Sequence, residues 1–323
     1  MNTPYTIGNV NRNRIVVAVG GNALIKAGET GTWAEQLEHA REIAEAVLAL
    51  RAQGHEVVLT HGNGPQVGAL LLQNAAGERE AAPLPLDALI AQTQGQVGYL
   101  LESAFAAVDA SVPVASLLTR VLVDPADPAF ADPTKPVGPF YDEAEARRRA
   151  AAFGWDVAPD AGRGWRRVVP SPRPLKVFGT EHVVGLLERD SIVVCCGGGG
   201  IPVTAEAGEV AGVAGVIDKD RCSERLAFEI GADVLVLLTG VPRVALDFGT
   251  RWERQLSLLT LADVERGLYD GDFPAGSMGP KMESAARFVE ESGGRALITS
   301  ADRLALAVAG TDGTWVVPER VAA

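Results

Sequence analysis

Cysteine is scarce in this chain, with three residues in 323. Cys195 and Cys196 are adjacent on an expected strand and would face opposite sides, while Cys222 stands alone. Neither a disulfide framework nor a zinc site is expected, which fits a reducing cytoplasm, and all three read as small buried apolar residues. No segment keeps 18 apolar residues together, and the polar start at residues 1–14 lacks the apolar core of a signal peptide. Export and membrane insertion therefore have no support. Basic charge is in deficit, with Lys+Arg 29 against Asp+Glu 41 and a net charge of −12. That balance argues against nucleic acid or a membrane as a partner, and it requires any anionic ligand to find a local positive pocket.

Several motifs are missing as well. No Gly, four residues, then Gly-Lys-Ser/Thr occurs, which excludes the Walker phosphate loop. The turn Gly20-Gly21-Asn22-Ala23-Leu24-Ile25 lacks the third glycine of a dinucleotide site. His39, His55, His61 and His182 have no metal-ligand spacing, no Ser/His/Asp nucleophile pattern stands out, and no protein-held metal site is expected. His61 reads as a strand-end histidine with a hydrogen-bonded ring, a proton-transfer role being the weaker alternative.

What is present is alternation. Apolar β-branched runs at 14–19, 56–60, 113–117, 192–196, 234–238, 295–299 and 314–317 alternate with amphipathic stretches at 33–53, from 65, 86–108, 181–189, 220–230, 261–269, 281–292 and 301–309. Gly54 sits where a glycine should end the first helix. This order predicts an α/β fold: a three-layer α/β/α sandwich on an open, mostly parallel sheet of about eight strands. The whole chain, 1–323, reads as one domain. The texture changes at 124–167, where prolines at 125, 128, 133, 136 and 139 surround one charged helix near 142–153. This reads as an inserted excursion whose flanks, 118–123 and 167–169, would pair as strands. A disordered linker is the alternative, against which Phe140, Tyr141, Phe153, Trp155 and Trp165 supply aromatic surface to pack.

Three glycine-rich turns follow predicted strands: Gly20-Gly21-Asn22, Gly62-Asn63-Gly64 and Gly197–Gly200. Glycine at such strand ends lets backbone N–H groups approach an anion, and a following helix adds favourable dipole charge. Two lysines stand beside comparable helix starts, Lys219 in Asp218-Lys219-Asp220 and Lys281 in Gly276-Ser277-Met278-Gly279-Pro280-Lys281. Asp220 is placed to hold both through charge-assisted hydrogen bonds, so that two ammonium groups face a transferring phosphoryl group. A capped helix start and a plain glycine-proline loop are the simpler readings of these two segments.

The residues resemble one family along nearly the whole chain, carbamate kinase within the amino acid kinase superfamily. The similarity runs through Val19–Leu24, His61–Gly68, Thr93–Tyr99, Asp132–Tyr141 with its Pro-Thr-Lys-Pro, Arg166–Pro172, Gly197–Val203, Val216–Asp220 and Gly276–Lys281. Related kinases resemble one another in placing a lysine two residues before the first Gly-Gly, where this chain has Ala18, and carbamate kinases likewise lack it. The resemblance implies ATP + carbamate ⇌ ADP + carbamoyl phosphate, in many organisms run toward ATP in arginine catabolism. It implies a homodimer, Mg²⁺ accompanying ATP or ADP, and a small protruding lid subdomain formed by 124–167. It assigns Lys219, Lys281, Lys135 and Asp220 as catalytic, and Gly20, Gly21, Asn22, Gly62, Asn63 and Gly64 as holding carbamate and phosphoryl. The expected nucleotide contacts are Gly198, Gly199, Thr239, Gly240, Ser277 and Met278.

Departures from the family pattern occur at Gly179, usually a glutamate, and at Arg221, Cys222, Glu224 and Arg225. Thr239-Gly240-Val241-Pro242-Arg243-Val244 also stands where Thr-Asp-Val-Asp-Gly-Val is common. These leave two alternatives: a related acyl-phosphate kinase with another small acceptor, or a catalytically silent nucleotide- or metabolite-binding protein of the same fold.

Overall fold

The computed structural model describes residues 12–318, apart from 21–22, 27, 161–163, 207 and 275–277. Its centre is an eight-stranded sheet in the order Leu258–Thr260, Thr314–Val317, Arg295–Thr299, Val234–Leu238, Arg14–Val19, Glu56–His61, Ile192–Val194, Val114–Ser116. All neighbouring pairs are parallel except Arg295–Thr299 with Thr314–Val317. The sheet is therefore mostly parallel.

Both faces of the sheet are covered, which is why its central strands read as unbroken apolar runs. Val16 and Ala18 face one core with Cys222, Leu226, Met282 and Phe288, from the helices Lys219–Glu229 and Met278–Ser292. Ile15, Val17 and Val19 face the other, with Ile43, Val47, Leu101 and Phe105 from Trp33–Ala52 and Leu86–Val108. The first helix starts on a capping box between Thr32 and Glu35, and Gly54 follows its end at φ 89. These layers are the sandwich that the alternation predicts.

Three details differ from the sequence reading. The flanks of the excursion do not pair with each other: Arg120–Val123 lies between Ile201–Glu206 and Pro174–Val177, while Trp165–Val169 lies between Lys135–Tyr141 and Asp156–Pro159. A period-two pattern marks a strand but not its partner. The stretch expected as one helix over 301–309 is a 3₁₀ turn, Ala301–Arg303, followed by Leu304–Val308. Finally, the strand ends at Val194, and all three cysteines join the same core, where Cys196 makes thiol contacts with both Cys195 and Cys222. Cys222 is not alone; the bond with Cys196, and then burial, push it and Cys195 up, so both stay neutral.

The excursion is folded rather than linker-like. Its three strands and the helix Glu143–Phe153 bury few residues, but guanidinium groups lie over its aromatic rings: Arg147 on Trp165 at 5.1 Å, Arg149 on Tyr141 at 4.8 Å, Arg167 on Trp155 at 5.0 Å. The strand Lys135–Tyr141 lies on the helix Gly64–Ala76, where a Cβ on Gly68 would come within 3.1 Å of the Gly138 Cα. A side chain at 68 would require the two backbones to part by a few tenths of an ångström.

Glu224 is a buried carboxyl between the two helices on the cysteine side. Burial, and then the like charge of Glu291, push it up to about 7, and the nearby arginines 287, 225 and 173 only partly offset this. A carboxyl raised in the folded state adds stability that is complete below pH ~4.5 and lost as pH rises through about 7. Glu224→Gln should therefore raise thermal stability at pH 8, by about 2 kcal/mol after allowance for partial screening. At pH 4.5 it should bring no gain. Calorimetry at the two pH values checks this, and an equal gain at both would remove the buried-charge explanation.

Candidate active site

The strands Arg14–Val19, Glu56–His61, Val234–Leu238 and Arg295–Thr299 send their C-terminal ends to one edge of the sheet, where ligands of open α/β sheets bind. The loops there line a cavity of about 1010 Å³. Only five lysines occur in the sequence, at 26, 135, 176, 219 and 281, and all but Lys176 line this cavity. In a chain whose cations are mostly arginine, the lysines are gathered at one place.

Lys219 and Lys281, 62 positions apart in the sequence, meet on one carboxylate. Lys219 Nζ donates to one oxygen of Asp220 at 2.5 Å, and Lys281 Nζ to the other at 2.8 Å. The three side chains are only 14%, 13% and 7% exposed. Burial alone would raise the Asp220 carboxyl, but Lys219 and Lys281 together hold it below its ordinary range. Burial and the neighbouring Lys219 charge lower Lys281, against the pull of Asp220. The helix Lys219–Glu229 begins here because Asp218 caps it, accepting from the Asp220 backbone at 2.9 Å.

Lys135 arrives from the excursion and donates to the other oxygen of Asp218 at 2.7 Å. Burial works against the charged form of Asp218, yet Lys135, then Lys219, hold it well below the usual carboxylate range. The simpler reading of Asp218-Lys219-Asp220 as a capped helix start is thus correct, and compatible with the charged one. Asp218 and Asp220 together tie three lysines to one helix end.

The glycine turns are held by amide side chains. Asn63 does not cap the helix that follows it; its side chain instead donates to Thr93 Oγ1 at 2.8 Å, leaving the first N–H groups of Gly64–Ala76 without a side-chain acceptor from this residue. Gln94 donates to the Gly197 carbonyl at 3.0 Å and to that of Thr119 at 3.2 Å. Gly198 has φ 66, and a Cβ there would lie 2.2 Å from Asn63 Nδ2; one on Gly199 would lie 2.2 Å from the Ile217 carbonyl oxygen. No other residue fits either position. His61 is buried against Gly197 and does not line the cavity. Burial lowers it to about 4, overriding its bond to the Gly62 carbonyl, so it is neutral at physiological pH.

Of the residues singled out from sequence, Lys219, Lys281, Lys135, Asp220, Gly20, Gly62, Asn63, Gly64, Gly198, Thr239, Gly240 and Met278 line the cavity, and Gly199 does not. Gly21, Asn22 and Ser277 lie outside the described residues. Lys26, Phe248, Phe273 and Asp218 also line the cavity and escaped the sequence reading as site residues. Asp218 was visible as a cap but not as the partner of a lysine 83 residues away. Arg221 sits 3.4 Å from Glu283, and Arg225 bonds Glu229 at 2.7 Å; neither lines the cavity. Both are helix-surface charges. Arg243 does line it, bound to Asp312 at 2.8 Å, whereas Gly179 opens the helix Thr180–Leu187 away from it.

Lysines paired on buried carboxylates in a cavity over glycine turns describe a phosphotransferase, and the profile of the amino acid kinase family matches residues 13–300. The chain belongs to that family. It is 47% identical over 313 residues to a carbamate kinase of Thermococcus kodakarensis, covering 95% of this chain and 99% of that one. It is 46% identical over 303 residues to a carbamate kinase of Halobacterium salinarum, covering 94% and 98%. Among solved structures, carbamate kinase from Giardia lamblia bound to AMP-PNP superposes with a TM-score of 0.89 at 38% identity, over 96% of this chain and 100% of that one. Within the family, its place is among the carbamate kinases.

Proposed function

We propose that this chain catalyses reversible phosphoryl transfer between ATP and carbamate, giving ADP and carbamoyl phosphate. The observation that carries this reading is the convergence of Lys219 and Lys281 on Asp220, with Lys135 two residues away on Asp218. A binder has little use for so much buried positive charge, whereas a transferring phosphoryl group, whose charge spreads over its equatorial oxygens, needs it.

In this reading, Gly20, Gly62, Asn63 and Gly64, with Gly21 and Asn22, hold carbamate and the phosphoryl group through backbone and amide donors. Lys219 and Lys281 flank the phosphoryl group in the transition state, Asp220 orients both, and Lys135 closes from 124–167 acting as a lid. The nucleotide lies toward Thr239, Gly240 and Met278, with Gly198 and Ser277 beside it; the Giardia relative bound to AMP-PNP supports nucleotide use. No covalent intermediate is required, because positioning and charge stabilisation suffice for in-line displacement. Mg²⁺ enters with the nucleotide as part of the substrate. Asp218 and Asp220 are both engaged by lysines, and no cluster of three His, Cys, Asp or Glu suited to a metal occurs among the described residues. We further propose a homodimer, working in the cytoplasm. No helix among the described residues is long and apolar enough to cross a membrane.

A coupled assay of ATP formation from ADP, Mg²⁺ and carbamoyl phosphate tests the reading. Turnover supports it; a folded sample that binds ADP but makes no ATP would favour the silent binder. The alternative of a different acceptor loses the part of its motivation that came from Arg221 and Arg225, which do not line the cavity, and keeps the part that came from Gly240 and Arg243, which do.

A further inference from the structure

Asp218 divides its carboxylate between two tasks. One oxygen accepts from the backbone N–H of Asp220 at 2.9 Å, fixing the start of the helix that carries Lys219 and Asp220. The other accepts from Lys135 Nζ at 2.7 Å. Lys135 is the first residue of its strand, which pairs with Trp165–Val169 in the small sheet and rests on Gly64–Ala76 through the Gly68 and Gly138 backbones. Lys135 and Asp218 both line the cavity, so this ion pair ties the small sheet to the lysine helix there. Its two side chains are 34% and 18% exposed, so the bond is dry enough to count and still reachable from the cavity.

A lysine held by a single carboxylate is a transferable lysine. A phosphoryl group arriving between Lys219 and Lys281 brings more negative charge than Asp218 carries, and does so within reach of the same side chain. We propose that Asp218 is the positioning residue of the lid: it holds the strand Lys135–Tyr141 closed before substrate arrives, and surrenders Lys135 to the phosphoryl group when it does. The inference rests on the kinase reading above and deepens it, since it states how the lid lysine is kept at the site between turnovers. Without the catch, the closed form is a smaller fraction of the enzyme and apparent affinity falls by that fraction.

Asp218→Asn separates the two tasks, because asparagine caps a helix about as well as aspartate but carries no charge for Lys135. Hydrogen exchange of residues 135–141 and 165–169, measured without substrate, should speed up roughly five- to tenfold in Asp218→Asn and equally in Lys135→Met, with no further gain in the double variant. In ATP formation, Asp218→Asn should raise KM for carbamoyl phosphate by a similar factor and change kcat by less than about threefold. On a Lys135→Met background the same substitution should change KM by less than about twofold. Unaltered exchange in the single variants, or an Asp218→Asn effect of full size on the Lys135→Met background, would overturn the catch. Absence of any ATP formation by the unmodified enzyme would instead remove the kinase reading, and the exchange comparison would still decide the catch.

Discussion

ATP formation from ADP and carbamoyl phosphate should fall by two to three orders of magnitude when Lys281 is replaced by alanine, about 3–4 kcal/mol of barrier. Lys281 is held against Asp220 in the cavity, its side chain 13% exposed, and the neighbouring cation, Lys219, is engaged on the same carboxylate. The other cavity lysines, Lys26 and Lys135, are paired with Glu42 and Asp218. Because the charge it opposes is greatest in the transition state, kcat should carry most of the loss and KM much less. Lys281→Met, which keeps the apolar stem, should lose nearly as much rate. Steady-state kinetics check both variants, and a fall of kcat below tenfold would show that this ammonium does not meet the transferring group.

The second large effect is expected at Asp220, whose removal leaves two buried ammonium groups facing each other. Asp220→Ala should cost about 3 kcal/mol of stability, the usual penalty for removing one member of a buried ion network. It should also lower kcat at neutral pH at least a hundredfold. The pH dependence has a definite sign. Burial and Lys219 already lower Lys281, with Asp220 opposing them. Without Asp220 the lysine falls further and loses its proton at a lower pH, so the residual activity should rise toward acid relative to the unmodified enzyme. Denaturant unfolding and pH–rate profiles measure the two effects. A variant as stable as the parent with an unshifted profile would mean that Asp220 does not hold the lysines charged.

Most of the sandwich was legible because its signals are local. Residues 14–19, 86–108, 234–238, 295–299 and 314–317 were read with the boundaries they have, since each is a strand buried on both faces or a helix with one apolar stripe. What escaped depends on contacts between distant segments. The ribbon Ile201–Glu206 with Glu209–Gly212 is mostly exposed along its second strand and leaves no apolar run to read. Arg120–Val123 looks the same whether it pairs with Trp165–Val169 or with Ile201–Glu206, and the structure chooses the latter. The meeting of Cys196 with Cys222 is hidden in the same way.

The site divides along a similar line. Asp220 could be anticipated as the carboxylate between two lysines because it adjoins one of them in sequence. Asp218 could not be matched to Lys135, since helix capping already accounts for an aspartate at that position. Arg221 and Arg225 looked capable of reshaping an acceptor pocket, but they pair with Glu283 and Glu229 and do not line the cavity.

The convergence of lysines on the transferring phosphoryl group is tested most directly by a crystal structure with ADP, Mg²⁺ and an aluminium fluoride mimic of that group. The predicted result places Nζ of Lys219 and Lys281 on opposite sides of the mimic within hydrogen-bond distance, about 2.7–3.1 Å, with Asp220 still joining them. A mimic bound over the glycine turns while both lysines point elsewhere would contradict it.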